Sequence, residues 1–561
     1  MTDSSVRLDP IALEILHNAL RSVTDEAFIA LTRSAYSTNI KERRDHSTAL
    51  TDRRGRLIVQ AEESLPIHLG SMSGLMESLL AKYALDEIHE GDIIIANDPH
   101  TAGGTHLPDV NMAMPVFVEG ALLGFICNIA HHADIGGMAP GSMAGGMTEI
   151  YQEGLRIPVV KLFRRGELER DILDLLLLNV RVPQERRGDY FAQVAACRLG
   201  ERRLKEIAAR HSVATLEAAF EEIIARTERR LRDAVAAIPD GRYAFSDVMD
   251  DDGIGTTDIA IEVTIDVAGD RIAMDFTGTS PQVPGNINVT RNATQAAACY
   301  SLKALLDPDI PNNQGVLDLI ELTVEKGSLL DAGFPAPVAA RANTCQRIVD
   351  VVLGALAEAL PEAAVGAANG ANTTAVFFGT DPRTGRSYLY LETLGGGFGG
   401  RAGKDGKDGV QVHITNTSNL PVEAIEMEYP LLVESYGLVE DSGGPGTHRG
   451  GMGLRRVIRP VGHECIFNGA GERFRHRPWG VFGGGAGASG RFVLVDTGGE
   501  ERRLDDKPSG ITVRPDQRLK VETPGAGGYG APEGRPRDRL LADRESGKFT
   551  PGFLRRHYGF E

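Results

Sequence analysis

Four of the 14 histidines, His100, His106, His131 and His132, fall within 33 residues, in the stretches ANDPHTAGGTHLPDV and CNIAHHADIGG, with Asp98 and Asp109 among them. Imidazole and carboxylate are ligands that Zn, Mn and Fe accept, and two imidazoles with one carboxylate leave coordination positions open for water. Imidazoles disfavour Ca. Between the two stretches, residues 110–117 and 121–130 read as strands joined by a turn at Glu119-Gly120. An antiparallel hairpin sets residues at equal distance from its turn side by side. Centred near 119 or 120, it puts Asp109 opposite residue 130 and His131 near Pro108, so the His106-x-x-Asp109 loop meets the His131-His132 corner. A strand over 92–96 pairing alongside would bring Asp98 and His100 to the same end. Successive strand residues face opposite ways, so His132 is the weaker ligand candidate beside His131. The residues alone leave two readings open, a three-ligand metal centre and hydrogen-bonded polar loops.

The elements that must position these groups are signalled nearby. Asp9 caps a first helix with Pro10 at its first turn. Residues 48–50 and 57–60 read as short strands around Asp52-Arg-Arg-Gly55, and a helix follows over 71–83. Residues 200–238 carry one long amphipathic pattern with a break near Ser212, suited to core packing or to a subunit interface. After Pro239-Asp-Gly the apolar residues alternate (Ile259, Ile261, Val263, Ile265), which places a boundary near 240. Helices are expected over 291–306 and 344–360. Residues 391–540 hold 32 of the 66 glycines between short strands. The expected fold is mixed α+β and multi-domain. It comprises an α+β region over 1–240 bearing the candidate metal site, a mixed α/β region over 241–390, and a glycine-rich, β-dominated region over 391–561.

Several functions are excluded. A net charge of −17 argues against a nucleic-acid or anionic-membrane partner. The longest aliphatic run, 175–178, is far too short to span a bilayer. The start, MTDSSVRLDP, lacks the basic and apolar regions of a signal peptide. Five widely spaced cysteines without CxxC suit buried thiols in a reducing cytoplasm. Two GxGxxG matches, at Gly395, Gly397, Gly400 and at Gly485, Gly487, Gly490, are not followed by helical sequence, and no P-loop is present. The run Asp250-Asp251-Asp252-Gly253 lacks the alternating ligands of an EF-hand and reads as a solvated turn.

At these motifs the sequence resembles the hydantoinase B/oxoprolinase family. The resemblance runs nearly end to end, through STNIKERRDHSTALTD, IHLGSM, NDPHTAGGTHLPDV, AHHADIGGMAPGS, PGNINVT, LGGGFGGRAGKDGKDGV, TNTSNLPVEAIE, DSGGPGTHRGGMG and TPGAGGYGAPEGR. The family's acetone carboxylase member holds manganese through a His, an Asp three residues on and a later His; carried over, these are His106, Asp109 and His131. His46 stands where the family often has an aromatic residue. The resemblance implies a divalent transition metal (Zn or Mn, with Fe a third choice). It also implies ATP with Mg held by a separate ATP-binding A subunit of the hydantoinase A/oxoprolinase type, in a heteromer with several copies of each chain.

The expected activity is ATP-dependent opening of a small cyclic amide, a hydantoin, 5-oxoproline or a lactam. The partner phosphorylates the amide oxygen, and water activated at the metal of this chain attacks the intermediate. Asp45, Asp98 and Asp134 are candidate bases or groups that orient the imidazoles, and His68 is a candidate substrate contact. The glycine loops 395–400 and 443–451 are candidate wraps around substrate or partner, or plain turns. The alternatives are an acetone-carboxylase-like ATP-dependent ligase subunit and a non-catalytic scaffold for the ATPase.

Overall fold

A computed structural model describes residues 8–370 and 372–561. The signal-peptide expectation rests chiefly on residues 1–7, which lie outside the described residues. The expected mixed α+β, multi-domain architecture is what the chain adopts.

The N-terminal sheet has seven strands: β1 (His46–Asp52), β2 (Leu57–Gln60), β3 (Ile93–Ala96), β4 (Asp109–Val118), β5 (Ala121–His131), β6 (Val160–Arg164) and β7 (Glu167–Leu168). Their order is β2-β1-β5-β4-β3-β6-β7, every pair antiparallel. Both faces are covered, which explains the near-continuous apolar runs. Ile94, Ala96, Ala113, Phe125 and Cys127 pack against Leu75, Met76 and Leu79 of the helix His68–Lys82. On the other face, Ile93, Ile95, Val110, Met112 and Met114 pack against Tyr190, Val194 and Cys197 of the helix Pro183–Ala208.

The amphipathic stretch over 200–238 does break near Ser212: it belongs to two helices, Pro183–Ala208 and Val213–Val235, and Ser212 caps the second by accepting Thr215 N at 3.1 Å. The first begins earlier than its apolar pattern suggested. Its early turns bury Arg186, Asp189 and Gln193 against the sheet, and these polar residues mask the stripe.

A second sheet is built from Gly241–Asp251, Thr257–Ala268 and Arg271–Asp275, antiparallel, with Ile320–Thr323 added parallel. The helices Arg291–Leu306 and Arg341–Leu356 close over it. One apolar core joins this sheet to Leu231 and Val235, and to Ala49, Leu57 and Ile129 of the first. The Asp250–Asp252 turn is buried, not solvated. Asp250 accepts the backbone N–H groups of Phe474, Arg475 and His476 at 2.6–3.1 Å, and Asp252 accepts those of Ile254, Gly255, Thr256 and Gly285.

Two further sheets, of four and five strands, make the C-terminal region, with short helices at its end. Its glycines let chain segments touch backbone to backbone. A Cβ on Gly397 would lie 2.2 Å from Gly451 O, and one on Gly450 would lie 1.9 Å from Ala526 O. The two GxGxxG matches belong to this stacking, and the second leads into the strand Arg491–Val495. All five cysteines are buried and unpaired. No helix among the described residues is long and apolar enough to cross a membrane.

Candidate metal centre

The β4–β5 hairpin carries the centre. Near its turn, Val118 pairs with Ala121 and Phe117 with Leu122, but Val116 pairs with Gly124. This bulge absorbs one residue, so Asp109 lies directly opposite His131, one position beyond the register that a regular hairpin predicts. Directly opposed residues share a face. Here that face is the one covered by the helix beginning at His68, and His68 Nε2 comes within 3.6 Å of Asp109 Oδ2. The turn before β4 adds His106, whose Nε2 lies 3.0 Å from Asp109 Oδ1. His106, Asp109 and His131 each offer a ligand atom, all within 4.8 Å of one another.

The hydrogen bonding shows what these atoms need. His106 Nδ1 lies 2.9 Å from the carbonyl of Ala339, which can only accept, so Nδ1 carries the proton. In a neutral ring Nε2 is then a bare lone pair facing a carboxylate oxygen. Apart from the 3.0 Å approach of His106 Nε2 to Asp109 Oδ1, these two atoms and His131 Nε2 are buried without a hydrogen-bond partner among the described residues. Burial, and next the charge of Arg341, hold His106 below the usual imidazole range. Burial, with His106 next, holds His131 well below it. Burial alone would raise Asp109, but His106, Arg341 and His68 outweigh it and keep the carboxyl well below its ordinary range. Two neutral imidazoles and one carboxylate with orphaned lone pairs suit a divalent transition metal.

The surrounding residues fix these ligands. Asp109 Oδ2 accepts Arg341 Nη2 at 2.6 Å and Thr105 Oγ1 at 3.3 Å, which leaves Oδ1 facing His106 and His131. Asp45 Oδ2 lies 3.5 Å from His131 Nδ1, and its carbonyl accepts His131 N at 3.0 Å. Burial raises the Asp45 carboxyl despite Arg43 nearby. His68 Nδ1 meets Ser47 Oγ at 2.8 Å, leaving Nε2 toward the centre.

Two of the three candidate bases stand elsewhere. Asp98 caps His100 N and Thr101 N and pairs with Arg156; Asp134 pairs with Arg181 Nη1 at 2.7 Å. Neither lines the cavity, and His100 turns away to the carbonyl of Ala336 at 3.0 Å. Asp98 sits in an Asx turn, a role its spacing to Thr101 already fits. His132, on the opposite face, stacks on Tyr190 at 4.6 Å and bonds Gln193 Oε1 at 2.9 Å; burial pushes it down to about 4. His46 is buried against Phe28 and Thr32. The glycine loops 395–400 and 443–451 do not line the cavity either.

Other lining residues have no local sequence signal. The cavity, about 30 Å³, has Asp45, His68, His106, Asp109 and His131 on one side. Arg341 and Asn343 close it from the middle of the chain, and Asn372, Thr374, Thr393, Thr415 and Thr417 from the C-terminal region. Only Arg341 was detectable in principle. It opens a helix buried along nearly its whole length, whose Arg347 and Asp350 are also buried, and charges on such a helix need partners.

Known proteins share this architecture. The B component of a putative D-/L-hydantoinase from Pseudomonas sp. (strain NS671) is 34% identical, over 97% of this chain and 94% of its own. The beta chain of the caprolactamase of Pseudomonas jessenii is 33% identical, over 98% and 96%. The crystal structure of the ATP-dependent caprolactamase from that organism superposes with a TM-score of 0.92 at 30% identity, over 98% of this chain and 96% of the other. A nucleotide-free acetone carboxylase structure shares the fold at a TM-score of 0.91 and 19% identity, over 98% and 79%. The hydantoinase B/oxoprolinase model matches residues 9–532, almost the whole described fold, and the chain belongs to that family.

Proposed function

We propose that this chain is the hydrolytic subunit of an ATP-dependent cyclic amide hydrolase. The observation that carries the reading is the set of three candidate ligand atoms on His106, Asp109 and His131, opening into a small cavity lined by both polar and apolar side chains. The hydantoinase and caprolactamase relatives are named as B and beta subunits, which supports an ATP-binding A-type partner in a heteromer.

An unstrained cyclic amide is a poor electrophile with a poor leaving group. Phosphorylation of its oxygen by the partner gives an imidate phosphate; water adds to its carbon, the ring C–N bond breaks as nitrogen takes a proton, and a second water releases phosphate from the acyl phosphate to leave the carboxylate. A divalent ion at the three ligands, Zn or Mn before Fe, would supply a Lewis acid and a water of lowered pKa. Asp45 Oδ2 takes the proton of the attacking water, a role its burial-raised carboxyl suits. His68 Nε2 contacts the substrate while Ser47 holds the ring. Arg341 and Thr105 keep Asp109 ionised and aimed. Leu65, Ile67 and Met143 exclude bulk water, and the four threonine hydroxyls orient the ring.

The test is ring opening by the complex reconstituted with its ATPase, before and after metal removal. Activity is expected to vanish in a verified metal-free sample and to return with Zn or Mn. Undiminished turnover without metal would refute the reading. The fold shared with acetone carboxylase favours a second reading, an ATP-dependent ligase adding bicarbonate-derived carbon to a ketone. Labelled bicarbonate separates them, because only the ligase incorporates label.

A further inference from the structure

Behind one wall of the metal cavity lies a second cavity of about 270 Å³. The wall is two irregular, turn-containing segments bonded to each other, Ile67 N to Ile414 O at 3.4 Å and Asn416 Nδ2 to Glu63 O at 3.2 Å. Their side chains alternate across it. Leu65, Ile67, Thr415 and Thr417 face the metal cavity, while Ser64, Pro66 and Asn416 face the second. The same two segments therefore line both cavities.

Lys303, on the helix Arg291–Leu306, enters this second cavity. Its Nζ donates to Asn312 Oδ1 at 3.0 Å and has no carboxylate within 4.0 Å among the described residues. Asp307, one turn on, is engaged with Arg230 at 2.7 Å. Glu62, the one carboxylate in the lining, is exposed and does not pair with Lys303. Burial lowers the ammonium to about 8, against the pull of Asp307 and Asp309, so it is mostly charged at neutral pH. Burial raises the Tyr300 phenol to about 12, which keeps it a donor, and its hydroxyl has no hydrogen-bond partner among the described residues. Leu69 and Val316 add apolar surface.

A poorly solvated ammonium without a counter-ion is costly, and a bound anion relieves that cost. One ammonium and one phenol beside apolar walls match a monoanion on a short hydrocarbon body; a phosphate dianion would keep a charge unmatched. We propose that this cavity binds the carboxylate of a small organic acid, with Lys303 as charge partner and Tyr300 as second donor. The choice of acid rests on the ring-opening reading, under which two carboxylates qualify. One is a substituent on the ring; the other is the carboxylate that every ring opening creates.

Calorimetric titration of the purified chain with 5-oxoproline, with 6-aminohexanoate and with neutral 2-pyrrolidone tests the site without turnover. At least one acid is expected to bind, with the neutral lactam at least 10-fold weaker. Lys303→Met should weaken the acid at least 10-fold, and Tyr300→Phe several-fold, with melting temperature and metal content unchanged. Lys303→Gln, which retains a donor for Asn312, repeats the test if methionine unfolds the chain. Lys303-dependent binding of 5-oxoproline alone identifies the substituent, and of 6-aminohexanoate alone the product. No binding by either acid, or equal binding by wild type and Lys303 variants, overturns the proposal. Binding that persists in a complex unable to open any ring defeats the ring-opening reading and leaves the carboxylate site standing.

Discussion

His131 and His132 are neighbours in the chain, yet strand alternation sends one to the candidate ligands and the other to Tyr190 and Gln193. His131→Ala is expected to abolish stoichiometric metal binding with little change in melting temperature, because it removes a ring whose Nε2 has no hydrogen-bond partner among the described residues. His132→Ala should keep the metal and lower stability by about 2 kcal/mol, through a lost stack and hydrogen bond. Metal analysis with thermal unfolding of both variants checks this, and the reverse pattern would exchange their roles. Arg341 is the residue that local sequence could not supply, because it meets Asp109 across more than two hundred positions of chain. Arg341→Met leaves a buried carboxylate without its cation, costing about 3–5 kcal/mol. It should also weaken metal affinity 10–100-fold. Arg341→Lys should restore only part of it, since one ammonium cannot reproduce the fork to Asp109 and Thr105. Competition against a chelating dye measures both effects, and unchanged affinity would reduce Arg341 to a packing residue. Asp98 and Asp134 were legible as acidic groups near the cluster but not as the turn and ion-pair residues they are, because proximity in sequence says nothing of where a side chain turns.

Among the elements, the hairpin was the most legible, since its turn and two apolar runs are local. Its one-residue bulge was not, because an extra residue in β5 leaves the pattern of buried positions intact on both sides. The segment between Phe334 and Arg341 shows a different limit. It has no regular structure, yet its Ala339 carbonyl orients His106 and its Ala339 N–H donates to Glu153 Oε1 at 2.7 Å. Burial raises the Glu153 carboxyl to about 8, with the N–H groups of Ala339 and Val338 opposing. The folded pKa thus lies above the unfolded value near 4.5, and the native state holds the proton more tightly. This contribution to stability is complete below about pH 4.5 and is lost as pH rises through about 8, by a few kcal/mol in all. Glu153→Gln keeps the acceptor and cannot ionise. Between pH 6 and 9 the wild type should lose several degrees of melting temperature more than this variant. Parallel pH profiles would show that Glu153 already ionises freely.

For the molecule as a whole, the change from helix to alternating strand near residue 240 is real, and Gly241 opens the second sheet. The core does not change there. Leu231 and Val235 lie in the same apolar cluster as Ile259, Ile261 and Met274, together with Ile129 from the strand that ends at His131. The metal cavity is divided in the same way. All three candidate ligands come from residues 106–131, but the carbonyl that orients His106, the cation that holds Asp109 and the threonine wall come from beyond 338. Pattern along the sequence reports where one element ends, and it cannot report which elements share a core, because that depends on contacts between distant segments. A fragment of residues 1–240 therefore holds the three candidate ligands and lacks what aims them. It should expose the apolar face of the helix Val213–Val235, fail to unfold cooperatively and bind metal at least 100-fold more weakly than the full chain. Adding Zn or Mn to the full chain at 100 times its Kd should instead stabilise it by about 2.7 kcal/mol. Circular dichroism melts and metal competition on both proteins decide the matter. A fragment that melts cooperatively and matches the full chain's affinity would mean that the first 240 residues form a self-sufficient metal domain and that the shared core is dispensable.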